Sequence, residues 1–115
     1  MPADTNANGD MFGGWLLSQM DLAGSIVAVQ KAKTKVATVG VEAMSFHHPV
    51  FVGDEVSCYC RIEKIGRTSI TVQVDSWARS RLHDTAHKVT EGKFTYVAID
   101  ENRKPVPVIR EGNKT

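Results

Sequence analysis

The first third of the chain carries an apolar pattern with helical spacing. Between residues 12 and 31, apolar side chains recur every three or four positions, at Phe12, Leu16, Met20, Ala23 and Val27. Further apolar residues widen this stripe to most of the helix circumference, namely Trp15, Leu17, Leu22 and Ile26. The narrow polar seam that remains consists of Ser18, Asp21 and Ser25. A helix that is apolar nearly all round is normally a buried one, so the pattern predicts a long helix enclosed by the rest of the fold.

The remainder of the chain has β character. Segments rich in Val, Ile, Thr and aromatic residues predict four strands, at residues 36–46, 56–65, 68–79 and 88–99. Turn residues at Val52-Gly53-Asp54, Gly66-Arg67 and His83-Asp84 separate them and favour an antiparallel meander. Strands of ten to twelve residues reach about 34 to 40 Å, whereas a twenty-residue helix spans about 30 Å. We therefore expect an α+β fold in which a curled antiparallel sheet wraps a long buried helix.

Length and charge restrict the class of protein. With 115 residues, the chain is expected to form a single domain over residues 1–115, with a polar and loose tail from about residue 101. The formal net charge of +1 provides no basic field for nucleic acid. No apolar run is long enough to span a bilayer, and the N-terminus does not resemble a signal sequence. We expect a cytoplasmic protein without a nucleic-acid or membrane partner.

The cysteines and histidines do not predict a disulfide or a metal site. Cys58 and Cys60 lie two residues apart in a predicted strand, so they share a face and cannot easily reach disulfide geometry. We expect both to be reduced packing residues, as is usual in the cytosol. His83 and His87 have helical spacing, but they fall at a predicted hairpin turn. No group of His and Cys residues has convincing ligand spacing for a metal.

The most informative short segment is Asn-Ala-Asn-Gly-Asp-Met-Phe-Gly-Gly-Trp, residues 6–15, at the start of the predicted helix. One interpretation is structural, with Asp10 as an ordinary helix N-cap. The other is chemical, because a carboxylate beside free backbone N–H groups and the positive end of a helix dipole can activate water against a polarised carbonyl. The pair Gly13 and Gly14 favours the second, since each glycine costs roughly 1 kcal/mol in a helix relative to Ala. Paired glycines suggest that something approaches the backbone closely.

Three segments together resemble a known family. The blocks PADTNANGDMFGGWLLSQMD, VATVGVEAMSFHHPVFVGDEV and GRTSITVQVDSW are similar to those of the YciA-type bacterial acyl-CoA thioesterases, which have the hot-dog fold. The resemblance extends to about Val106, and its first block is the most specific. It implies hydrolysis of an acyl-CoA thioester to a free acid and CoA, with no separate cofactor because CoA belongs to the substrate.

The resemblance also implies which residues form the site. The catalytic acid of the family falls on Asp10, acting as a general base on water or as a nucleophile that forms a mixed anhydride. Gly13 and Gly14 fall where the thioester carbonyl meets the helix start, Asn8 is a candidate to orient water or thioester, and Phe12 is a substrate-contact candidate beside the glycines. The phosphates of CoA need cations or N–H groups, and by their own guanidinium and hydroxyl donors the best local candidates are Arg67, Thr68 and Ser69 at a hairpin, with Lys64 nearby. The alternative for these hairpin residues is a solvated turn.

The resemblance and the predicted fold also bear on the assembly of the protein and on rival functions. Exposed sheet edges and the small size of the domain favour a homodimer with shared sites, and the family often stacks such dimers into trimers of dimers. The family also has a strand before its first block, and a subunit without that strand is expected to be less stable. A hot-dog dehydratase is disfavoured because no histidine precedes His47. A non-catalytic acyl-CoA sensor and a β-rich interaction domain stay open as alternatives.

Overall fold

One helix and four strands make up the protein. The computed structural model describes residues 13–51, 53–80, 82 and 85–109. The helix α1 comes first, and the strands follow in chain order: α1 Gly13–Ala32, β1 Lys35–Phe46, β2 Glu55–Ile65, β3 Ser69–Arg79 and β4 Ala86–Ile99. The element order and types predicted from the sequence are confirmed, with bounds that differ by two residues at most.

The sheet is antiparallel, and its strand order is β1-β4-β3-β2. Strands β2, β3 and β4 form the expected meander, but β1 pairs with β4 rather than with β2, beginning at Lys35 opposite Ile99. The prediction of a simple meander is therefore wrong for β1. Periodicity identifies a strand without identifying its partner, and here residues 47–54 carry the chain from one edge of the sheet to the other. Among the described strands, β1 and β2 form the edges of an open sheet.

The helix lies across the inner face of the sheet through residues spaced four apart. Leu16, Met20, Ala28 and Ala32 are buried and contact an apolar layer from the two central strands, formed by Ile70, Val72, Val74, Ala78, Phe94, Tyr96 and Ala98. The opposite face of the helix stays exposed in the single chain, with Leu22 at 58% and Ile26 at 52%. The sheet therefore encloses one side of the helix, and apolar residues on the other side are exposed in the single chain.

The helix ends through a left-handed residue. Lys33 has a φ of 60° and donates its backbone N–H to the Val29 carbonyl at 2.7 Å, which satisfies one of the carbonyls left free at a helix end. The chain then enters β1 after Thr34, whose hydroxyl donates to the Ile99 carbonyl at 2.8 Å. These bonds fix the helix end against the edge where β1 meets β4.

The segment after β4 corrects another expectation. Residues 101–109 were expected to be loose, but Val108 is fully buried. The backbone N–H groups of Val106 and Val108 donate to the carbonyls of Ala98 and Arg67 at 2.9 and 2.8 Å. Polar and proline residues dominate this segment, and two valines in it are enough to hold it against the β2–β3 hairpin.

We predict that Met20→Ala lowers the free energy of unfolding by about 2 to 5 kcal/mol, as expected when a fully buried methionine is truncated. Leu82→Ala is the control, since Leu82 is 86% exposed and should change stability by no more than about 0.5 kcal/mol. Denaturant unfolding of the two variants checks this, and equal losses would contradict the packing described for α1.

Candidate active site

The positive end of α1 is not neutralised by acidic residues of its own first turn. α1 begins at Gly13, and its first turn contains no acidic residue. The first four N–H groups of a helix have no partner within the helix, and the positive end of the helix dipole lies at the same place. Such an end can donate hydrogen bonds to an anion or to a developing oxyanion. The predicted partners Asn8, Asp10 and Phe12 lie outside the described residues.

Among the described residues, Gly14 has no packing partner that explains it. A Cβ built on Gly14 would meet nothing within 4 Å, and the residue is exposed. Gly24, farther along the same helix, is different, because a Cβ there would collide with the Tyr96 side chain. A glycine in a helix costs about 1 kcal/mol relative to Ala, and contacts among the described residues give a steric reason for Gly24 but not for Gly14. The requirement at Gly14 therefore comes from something outside the described chain.

A polar row crosses the sheet at this end of the helix. The polar residues Thr90, Ser76 and Cys58 are successive register partners on β4, β3 and β2, with the apolar Phe46 opposite Thr90 on β1, and Ser76 and Thr90 are fully buried. The Cys58 thiol lies 3.3 Å from the Ser76 hydroxyl. The row could not be predicted from the sequence. Alternation along β3 and β4 shows that Ser76 and Thr90 face inward, but it does not show that the two residues lie side by side.

An apolar groove runs between the helix and the edge strand β2. It has a volume of about 250 Å³ and is lined by Trp15, Gln19, Leu22, Ala23, Ile26, Val56 and Cys58. It begins at Trp15, within the first turn of the helix, and follows the helix along its exposed side. Its outer wall is the free edge of β2, so a strand added at that edge would cover it.

The two predicted parts of the site, the glycines at the start of α1 and the Arg67 hairpin, lie at opposite ends of the domain. Arg67, Thr68 and Ser69 form the β2–β3 hairpin, beside the end of β4, where Ser69 pairs with Val97. The start of α1 lies instead near the beginning of β2, where Trp15 and Val56 line one groove. One chain therefore does not bring the glycines and the hairpin together.

The hairpin itself is braced and presents free donors. The carbonyls of Arg67 and Thr68 accept hydrogen bonds from the N–H groups of Val108 and Ala98, both at 2.8 Å. The Arg67 side chain is exposed and has no ion-pair partner among the described residues. A fixed backbone with an unpaired guanidinium suits a phosphate better than an ordinary mobile turn does.

Other polar candidates are occupied within the chain. The Ser18 hydroxyl donates to the Trp15 carbonyl at 2.7 Å, and one Asp21 carboxylate oxygen accepts from the Thr38 hydroxyl at 2.8 Å. Asp54 accepts from the Phe51 N–H at 3.0 Å, as expected of a turn residue. Cys58 and Cys60 are free thiols, and burial raises the pKa of Cys60. In the part of the chain that the structure describes, no group of three His, Cys, Asp or Glu residues could hold a metal ion.

The outer face of the sheet is charged. Lys88 lies 2.9 Å from Glu91 and 3.6 Å from Asp75, and Lys93 lies 3.0 Å from Glu63. The hydrogen bond from Lys88, followed by the one from His47, lowers the pKa of Glu91, and the same bond with Glu91 raises the pKa of Lys88. Opposite charges paired in this way indicate a solvent-facing surface. The chemistry therefore concentrates on the helix side of the sheet.

Comparisons with known proteins agree on one family. Residues 8–82 match the family model of the thioesterase superfamily. The chain is 50% identical over 115 residues to the acyl-CoA thioester hydrolase YciA of Salmonella typhimurium, and the match covers 97% of this chain and 86% of the relative. No described helix is long and apolar enough to cross a membrane.

Solved structures give the same result for the fold. The chain is similar to the hexameric thioesterase y2039 of Yersinia pestis, with a TM-score of 0.86, 49% identity and coverage of 96% of this chain and 90% of the other. It is also similar to Cj0915, a hexameric hotdog fold thioesterase of Campylobacter jejuni, with a TM-score of 0.86, 41% identity and coverage of 99% and 87%. An α-helix packed on an open antiparallel sheet is thus the hot-dog arrangement expected from the sequence.

Proposed function

Because the chain belongs to the thioesterase superfamily, we propose that it is an enzyme that hydrolyses acyl-CoA thioesters to a free acid and CoA. The observation that carries the proposal is the start of α1, where Gly14 is exposed and a Cβ added to it would meet no atom of the described residues within 4 Å. None of the described residues therefore blocks a thioester carbonyl from the first-turn amides there. The relatives named as acyl-CoA thioester hydrolases support the same substrate class.

In the proposed mechanism, Asp10 acts as a general base. It takes a proton from water as the water oxygen bonds to the carbonyl carbon, and the carbonyl electron pair moves onto oxygen. Amides of the first turn, at Gly13 and Gly14, donate to that oxyanion, and Asn8 orients the water. The intermediate then collapses, the carbon–sulfur bond breaks, and the proton held by Asp10 passes to the departing thiolate of CoA.

We further propose that the working form is a hexamer built as a trimer of homodimers. Two relatives of known structure are hexameric, and among the described strands β2 is a free edge beside the groove that the exposed Leu22 and Ile26 line. Pairing of two β2 edges around a two-fold axis reverses the second sheet. The partner's Arg67 hairpin then lies at the same end as the helix start of the first subunit. The free thiols Cys58 and Cys60 support a cytoplasmic location.

We predict that Asp10→Ala lowers kcat at least tenfold, which corresponds to about 1.4 kcal/mol in the barrier. Asp54→Ala is the control, because Asp54 accepts a hydrogen bond from the Phe51 N–H in a turn and should affect the melting temperature rather than kcat. Thiol release from a panel of acyl-CoAs gives the rates. If Asp10→Ala keeps more than a tenth of the wild-type kcat while folded, Asp10 is not the base.

Gly14→Val should lower kcat while leaving the melting temperature unchanged or higher. A Cβ at position 14 would meet no other described residue within 4 Å, and valine is a better helix former than glycine. It would, however, fill the space that the thioester carbonyl needs, and Gly14→Ala should have the same effect to a smaller extent. Thermal melts and kinetics on the same preparations check this. A large loss of melting temperature with normal turnover would make Gly14 structural.

A shared site predicts complementation between variants. Arg67→Ala should raise KM for acyl-CoA at low ionic strength with kcat nearly unchanged, whereas Arg79→Ala, which removes an exposed arginine paired with Glu55, should not. Mixing Arg67→Ala chains with Asp10→Ala chains should restore low-KM turnover above the average of the two, because some sites then receive both intact residues. Turnover equal to the average would show that each chain holds a complete site.

A further inference from the structure

Two hydrogen bonds from neighbouring strands converge on one residue of α1. The Tyr96 hydroxyl of β4 donates to the Asp21 backbone carbonyl at 2.8 Å, and the Thr38 hydroxyl of β1 donates to the Asp21 carboxylate at 2.8 Å. Thr38 and Tyr96 are register partners, so both side chains leave the sheet side by side and point toward the helix. We call these three residues the helix anchor.

Gly24 makes the helix anchor possible. A Cβ built on Gly24 would meet the Tyr96 hydroxyl oxygen, with the ring carbons Cζ and Cε2 at 3.2 and 3.3 Å. The helix can therefore approach β4 closely enough for the Tyr96 hydroxyl to reach Asp21 only if residue 24 lacks a side chain. A mid-helix glycine costs about 1 kcal/mol relative to Ala, and this close contact is a physical reason for it.

The anchor supplies direction that the apolar contacts lack. The buried helix residues Leu16, Met20, Ala28 and Ala32 hold the helix through apolar contacts, and the hydrophobic effect is non-directional. A carbonyl and a carboxylate held by two hydroxyls fix both the height of the helix along the sheet and its rotation. Tyr96 is fully buried, and burial raises its pKa, so the hydroxyl stays protonated and continues to donate.

We propose that Tyr96 is a positioning residue for the thioesterase reaction, which sets the place of the first-turn amides by fixing α1 at Asp21. The inference rests on the proposed function. Asp21 lies eight residues after Gly13, about 12 Å along the helix, so a shift or rotation at the anchor is carried to the helix start. Oxyanion donors are sensitive to such shifts, since a misplacement of about 1 Å can cost on the order of a hundredfold in rate.

Single substitutions test the hydroxyls. Tyr96→Phe should lower kcat about tenfold with KM changed less than twofold, and Thr38→Val should lower kcat by a smaller factor because its bond is exposed. Thr71→Val is the matched control, since it removes a sheet hydroxyl that lies 3.4 Å from the Thr95 hydroxyl and does not contact the helix. All rates are measured below the melting temperature of each variant. If Tyr96→Phe does not fold, Thr38→Val tests the anchor in its place, with the smaller loss of kcat given above and KM changed less than twofold.

The glycine gives a second, coupled test. Gly24→Ala should lower kcat strongly when residue 96 is tyrosine. In the Tyr96→Phe background, where the colliding hydroxyl is gone, the same substitution should change kcat less than twofold. Ser25→Ala is the control on the neighbouring helix position, because the Ser25 hydroxyl donates to the Leu22 carbonyl of the same helix at 2.8 Å. A change in helix stability alone would act equally in both backgrounds.

Hydrogen exchange provides a reading that does not depend on activity. Amides of the first turns of α1 should exchange faster in Tyr96→Phe than in Thr71→Val. The inference is overturned if Tyr96→Phe keeps kcat and exchange within twofold of the Thr71→Val control, or if Gly24→Ala has equal effects in both backgrounds. An inactive wild-type protein would refute the proposed function instead, and the exchange comparison would still test the anchor.

Discussion

A single helix has to cover the whole inner face of a four-stranded sheet, and this constraint governs the rest of the structure. The helix meets the sheet through one row of residues spaced four apart, two of which, Ala28 and Ala32, are small. Small residues allow the backbone of α1 to come close to the central strands, where Phe94 and Tyr96 supply the bulk. The proposed chemistry takes place at the start of α1. Because α1 is held by its core contacts, contacts distant from the site determine where the site lies.

The same constraint explains why apolar surface remains uncovered in one chain. A sheet of four strands reaches around one side of a helix, so Leu22 and Ile26 stay exposed, and in the part of the chain that the structure describes the β2 edge beside them is unpaired. Exposed apolar edges are normally paired or covered. The separation of the helix start from the Arg67 hairpin has the same origin, since an antiparallel strand as long as β2 puts its two ends on opposite sides of the domain. Two copies related by a two-fold axis would solve both problems together.

Local patterns predicted the elements well, and long-range contacts were the part that they could not supply. The helix and the strands were recognisable because their apolar residues repeat with periods of 3.6 and 2. Which strand lies beside β1 depends on residues more than forty positions away, and no local signal specifies that. The buried Val108 was missed because the polar and proline residues around it dominate the composition of that segment. At the site, the glycine pair indicated the helix start, whereas the helix anchor was missed although Gly24, a glycine within a helical pattern, was a visible sign of it.

Because of the contact between Gly24 and Tyr96, the residues tolerated at these two distant positions depend on each other. As long as residue 96 keeps its hydroxyl, any side chain at position 24 collides with it. Replacing Gly24 would raise the helix propensity of α1 without a collision only after the Tyr96 hydroxyl had been lost. A protein with both a side chain at position 24 and the hydroxyl at position 96 would be destabilised by their collision. These two positions are therefore expected to vary together among descendants of this sequence, although seventy-one other residues separate them along the chain.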